Sequence, residues 1–217
     1  MKPGPKRSLS GDVIVTAALK LLDERGGDAV SVRSIASEVG VAPNAIYTYF
    51  PDKVAVLRAV VDRLIGEQSL DVLADTGIPW RQRIHEVGLG LRKRLLDHPG
   101  ATKLLLGAPM DGPRALEFGE RLLDLLAEVG LSQEDAARAS YLLIVYMLGS
   151  IALEAAELDP KMPAPPEKER INTRRKAFEA VPPQVFPRTA ASTEVMAAYI
   201  STEQYVWGLD RVLDGLS

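Results

Sequence analysis

Asn44, Tyr47, Thr48, Tyr49 and Lys53 crowd into the stretch "VAPNAIYTYFPDK". On a helix, Asn44, Tyr47 and Thr48 stand at i, i+3 and i+4 and share one face, whereas Ile46 and Phe50, four apart, turn the other way with Val41. The polar set suits nucleic acid. An Asn amide makes paired hydrogen bonds to adenine, a Thr hydroxyl bonds a base edge or its methyl meets thymine, and Tyr hydroxyls and a Lys ammonium hold phosphates. Arg33, a few residues upstream, is placed for a phosphate or a guanine edge.

The local signals say how such a face is held. Ser31 is an N-cap ahead of the apolar stripe Ile35, Ala36 and Val39, and Gly40 suits a left-handed C-cap. Pro43 fits the first position of the next helix, where its missing N–H would be unpaired anyway. That helix is expected over 43–50, since Pro51 resists continuation, and Asp52 caps a longer one over 52–66. Before them, "SGDVIVTAALKLLDERGG" repeats Val13, Ala17 and Leu21 at helical spacing and stops at Gly26 and Gly27. Two helices crossing a three-residue glycine turn form a helix-turn-helix, whose second member enters the major groove.

Downstream, apolar spacing predicts helices over 80–97, 101–107, 112–129, 133–157 and 193–215, with no sustained alternation of the kind a sheet requires. The fold class read from this is all-α: an N-terminal helix-turn-helix three-helix domain, then a larger C-terminal helical domain. The boundary is placed at 1–58 and 59–217, bridged by helix 52–66. Seven of the fifteen prolines fall between Pro160 and Pro187, so 158–192 reads as a mobile connection with one helical turn around 168–180.

Composition narrows the function classes. Net charge is −3 over 217 residues, yet residues 1–60 carry eight Lys or Arg against six acids; the basic surplus sits with the candidate reader. With no cysteine and only His85 and His98, thiolate chemistry is excluded, and no His-Glu spacing or glycine-rich phosphate loop points to an enzyme, a metal or a cofactor. His98, before Pro99, stands at a helix end, where a cation favours the terminal carbonyls. Neither a membrane span nor a secretory signal is read, so a cytoplasmic protein is expected.

The segment "VSVRSIASEVGVAPNAIYTYFPDKVAVLRAVV" resembles the DNA-binding signature of the TetR family of bacterial transcriptional regulators through Ala36, Gly40, Tyr47, Tyr49, Phe50 and Lys53. "WRQRIHEVGLGLRKRLLDHPGATKLLLGAP", "YMLGSIALE" and "YVWGLDRVLDGL" are similar to the ligand-binding half of its tetracycline-repressor branch. The resemblance implies Arg33, Ala42, Pro43, Asn44, Ala45, Tyr47, Thr48, Tyr49 and Lys53 at or near a double-stranded operator, a homodimer through helices 133–157 and 193–215, and release of a palindromic operator by a small effector. Ala42, Pro43 and Ala45 depart from a polar pattern, leaving Arg33, Asn44 and Thr48 for base discrimination and keeping open a helical dimeric interaction protein without operator binding.

The same resemblance implies a pocket enclosed by helices from about 64 to 150. Ser69 and Leu105 occupy the places of the drug-binding relative's histidines, so no metal–tetracycline complex is expected. The implied lining, Ser69, Val87, Leu91, Leu105, Leu106, Met110, Tyr141, Val145 and Met147, is apolar with a few polar tips and suits an apolar or aromatic effector.

Overall fold

The computed structural model describes residues 9–66, 70–105, 110–159 and 162–216. Among them the chain is helical, with no strand. Helix α1 (Gly11–Arg25) begins at Ser10, whose hydroxyl accepts from the Val13 amide at 3.3 Å, and ends at Gly26 with φ 78°. Helix α2 (Val32–Val39) opens with a reciprocal cap: the Ser31 hydroxyl accepts from the Ser34 amide at 3.0 Å and the Ser34 hydroxyl from the Ser31 amide at 2.8 Å. Gly40 then adopts the left-handed conformation (φ 74°, ψ 33°), which glycine tolerates best.

Helix α3 (Pro43–Ile46) is shorter than the expected 43–50. The chain continues as a turn in which the amides of Tyr49 and Phe50 both donate to the Ile46 carbonyl at 3.0 Å. Pro51 has no N–H and disfavours helical geometry in Phe50, so the ladder tightens and stops. Asp52 caps α4 (Lys53–Gly66) by accepting from the Ala55 amide at 2.8 Å.

The larger half comprises α5 (Asp71–Ala74), α6 (Trp80–Asp97), α7 (Pro99–Leu105), α8 (Pro113–Glu128), α9 (Gln133–Ala156), α10 (Glu167–Glu179), α11 (Pro187–Ala191), α12 (Thr193–Ala197) and α13 (Thr202–Asp214). One apolar core runs from Ile14 in α1 through Val60 and Leu64 in α4 to Leu122, Leu143 and Leu209 in the bundle. The start of α7 lies so close to α1 that a Cβ on Gly100 would stand 2.2 Å from the Leu22 carbonyl oxygen. His98 fastens the same junction, its Nδ1 lying 2.7 Å from Asp23.

Two expectations are corrected here. The segment 158–192 contains the three-and-a-half-turn helix α10, which buries no side chain fully and is held by charge instead. Arg170 Nη2 donates to Glu154 at 2.7 Å, and Arg174 donates to the carbonyls of Ala197 and Ile200 at 2.8 and 2.7 Å. Pro166 and Pro187 stand at helix starts, where a missing N–H costs nothing. The helix expected over 193–215 is broken into α12 and α13, because Ser201 begins a new cap with its hydroxyl accepting from the Gln204 amide at 3.1 Å.

Helix α9, 24 residues, is long and apolar enough to cross a bilayer by length and composition alone, a test that the core helix of a bundle also passes. It packs against α6, α7, α8 and α13. Its exposed apolar side chains, Tyr141, Leu142, Val145 and Leu153, nevertheless lack cover within the chain.

Candidate nucleic-acid interface

The turn at Gly40 sets α3 across the end of α2, and Ile46, wholly buried, pins α3 to the core with Phe50 packed beside it. The opposite side is then forced outward. Arg33, Ala42, Pro43, Asn44 and Thr48 are exposed, Tyr47 is 53% and Tyr49 44% exposed, and Ala45 and Lys53 are half-buried. The inward and outward sets follow the expected division even though regular helix ends at Ile46.

Arg33 is the second residue of α2 and Lys53 the first of α4, so cations flank the polar face from two helices. No ion pair engages either among the described residues, whereas Lys20, behind on α1, is committed to Glu38. Glu38 hydrogen-bonds Lys20 and is held below the usual carboxylate range by that contact, which in turn raises the Lys20 pKa. Free cations and free Asn and Thr side chains facing solvent suit phosphate and base contacts. Tyr49 differs: its hydroxyl donates to the Leu9 carbonyl at 2.7 Å, an internal contact that spacing did not suggest.

The second candidate site divides. Val87, Leu91, Leu105 and Met147 are at most 4% exposed and lie in the core, and Met110 is half-buried against it. Tyr141, 70% exposed, and Val145, 47%, face away from the bundle and cannot line a cavity within one chain; they are one turn apart on the outer side of α9. Ser69 and Leu106 lie outside the described residues. Sequence reasoning missed a polar interior near the same helices: Arg92 on α6 pairs with the buried Glu154 on α9 through two hydrogen bonds of 2.9 and 2.8 Å and reaches Glu167 at 3.0 Å. The Tyr205 hydroxyl donates to the Gly88 carbonyl at 3.0 Å, and burial raises its pKa. Charged residues outnumber any periodic signal in α10, so only their partners across the fold reveal their role.

His85 Nε2 stands 2.8 Å from Asp210, joining α6 to α13, so both histidines sit in interhelical contacts. Among the described residues no cluster of three or more His, Cys, Asp or Glu is placed to hold a metal ion.

A helix-turn-helix with an outward polar face, packed through α1 and α4 against α7 and α8 of a larger helical bundle, is the architecture of a DNA-binding regulator. Residues 14–60 match the family described as bacterial regulatory proteins of the tetR family, and residues 73–217 match the tetracyclin repressor-like C-terminal domain. The chain belongs to the TetR family of bacterial transcriptional regulators. An HTH-type transcriptional regulator of Saccharopolyspora erythraea is 34% identical over 150 residues, covering 69% of this chain and 63% of that protein, a little under two-thirds of its length. The transcriptional repressor DrrR1 of Streptomyces coeruleorubidus is 27% identical, covering 98% and 79%. The crystal structure of a possible TetR family transcriptional regulator from Streptomyces coelicolor A3(2) superposes with a TM-score of 0.80 at 31% identity, covering 95% of this chain and 98% of that one.

Proposed function

We propose that the protein is a homodimeric repressor that binds a palindromic operator and is released from it by a small, largely apolar effector. The outward presentation of Asn44, Tyr47 and Thr48 between the unpaired cations Arg33 and Lys53 carries this reading. Arg33, Asn44 and Thr48 discriminate bases, Tyr47 and Lys53 hold phosphates, Tyr49 orders the turn, and Ala42, Pro43 and Ala45 supply shape and methyl contacts. One such reader spans a few base pairs, so two in a dimer are needed to read a palindrome. The exposed apolar residues of α9, with Trp207 of α13, support a dimer seam made by these helices.

The effector site is proposed between α6, α7, α8 and α9, near Val87, Leu91, Leu105, Met110 and Met147. An effector that binds one dimer conformation better than the other shifts the population and hence the operator affinity. The protein acts in the cytoplasm, where the operator is.

The experiment is fluorescence anisotropy with duplexes from the region upstream of the protein's own gene, titrated at low and at physiological salt. Saturable binding to one duplex in preference to scrambled sequence is expected, with affinity falling steeply as salt rises. A folded dimer that binds none of these duplexes at low salt sinks the repressor reading and leaves a dimeric interaction protein.

A further inference from the structure

We propose that Asp62 is the positioning residue through which the first turn of α8 and the DNA reader set one another's placement, an inference that rests on the operator-binding reading. Helix α8 starts at Gly112–Pro113, and Gly112 has no side chain with which to cap it. The cap comes from another helix: Asp62 of α4 accepts from the amides of Arg114 at 2.9 Å and Ala115 at 3.1 Å through one carboxylate oxygen. A carboxylate is favoured at the positive end of a helix, and two otherwise unpaired amides are satisfied.

The fit is close. A Cβ on Gly112 would stand 2.2 Å from the Asp62 oxygen, and one on Gly66 2.5 Å from the Arg114 side chain. Arg114 returns the contact, its Nη1 donating to the Gly66 carbonyl at 3.2 Å. Next to Asp62, Arg63 donates to the Thr16 hydroxyl at 2.7 Å, so the same turn of α4 also grips α1.

At the other end of α4 stands Lys53, about 14 Å away along a rigid helix. On the far side, α8 packs against α9, one of the helices between which the effector is proposed to act. A displacement of α8 moves its first turn, and the carboxylate transmits the movement to α4 and the reader. Two other bridges cross the same boundary: His98 to Asp23, from the α6–α7 junction to α1, and the exposed pair Arg58–Asp111, 3.8 Å apart, from α4 to the residue ahead of Gly112; any test must separate Asp62 from them.

Hydrogen exchange read by mass spectrometry on the full chain makes the separation. Without DNA, Asp62→Ala should speed exchange of the first-turn amides of α8 about fivefold to tenfold, the loss of one good cap, whereas Asp62→Asn, which keeps an acceptor, should change it less. Unchanged exchange in Asp62→Ala overturns the cap. With a duplex selected from a random pool by the wild-type chain, DNA should slow exchange of the same amides in the wild type and in Asp23→Asn but not in Asp62→Ala saturated with duplex, because coupling is reciprocal. A DNA effect that persists in Asp62→Ala overturns the proposal; if it is lost in Asp23→Asn the relay runs through His98, and if it persists there too the coupling runs through neither bridge. If the pool yields no duplex, the operator reading fails together with the relay, while the DNA-free comparison still decides the cap.

Discussion

The Tyr49 hydroxyl donates to the Leu9 carbonyl at 2.7 Å, tying the turn after α3 to the residue ahead of the Ser10 cap of α1. A residue expected beside phosphate is thus engaged inside the domain, where it fixes the turn that presents Asn44, Tyr47 and Thr48. The predicted consequence is a split between stability and specificity. Tyr49→Phe should cost about 1 kcal/mol in urea unfolding, the net worth of one hydrogen bond, and weaken DNA binding without altering preference among sequences. Unchanged stability with lost affinity would show that the hydroxyl leaves Leu9 for a phosphate.

The reader residues should separate into two groups. Tyr47→Phe and Lys53→Ala weaken all duplexes, and Lys53→Ala lowers the salt slope by about one, as expected for a lost phosphate contact. Asn44→Ala and Thr48→Ala instead relax the choice at single operator positions, by about 1–3 kcal/mol per contact. A panel of single-base operator variants measured by anisotropy distinguishes them. If all four substitutions scale every duplex alike, the assignment of base and phosphate contacts is wrong.

What the sequence made legible follows from how local the signal was. Ser31, Gly40, Pro43 and Asp52 act within a turn of their own position, and each is found in the expected role. Arg170 and Arg174 act on partners 16 to 26 residues away, so their contribution to α10 has no periodic trace, and proline content alone misleads. The break before α13 had a local signal, the capping pattern Ser201-Thr202-Glu203-Gln204, which the apolar run around it obscured. The family resemblance implies Tyr141 and Val145 as pocket lining, but they are exposed; which of two apolar faces of a helix is covered depends on neighbours that spacing does not specify.

Glu167 predicts an acid-sensitive attachment of α10. Burial pushes its carboxyl up, but the hydroxyl and amide of Thr202 and the guanidinium of Arg92 outweigh burial and hold it below the usual range. A depressed folded pKa contributes stability above the unfolded value, about 4.3, and that contribution is lost as pH falls through the folded value. Glu167→Gln should therefore lower the Tm near pH 7, with the wild-type and variant curves converging below about pH 4. A gap that stays constant down to pH 3 would mean that ionised Glu167 does not secure α10.

The outer face of α9 yields the last prediction. Tyr141 and Val145 are 70% and 47% exposed, and Trp207 on the adjoining α13 is 56% exposed. Beside Trp207 runs an open groove of about 700 Å³, lined by Val195, Ala198 and Gln204 and bordered by Glu194 and Glu203. Large apolar side chains gathered on two packed helices are stable in water when a second copy covers them. Replacing both Tyr141 and Val145 by Glu places like charges across that seam while leaving the chain's own core intact, so sedimentation should show a helical monomer in place of a dimer. Operator affinity should fall at least about a hundredfold, since the two readers no longer bind as one unit. By contrast, Leu143→Glu, at a fully buried position on the opposite side of the same helix turn, should unfold the bundle rather than dissociate it. A double variant that still sediments as a dimer places the contact between copies on another face.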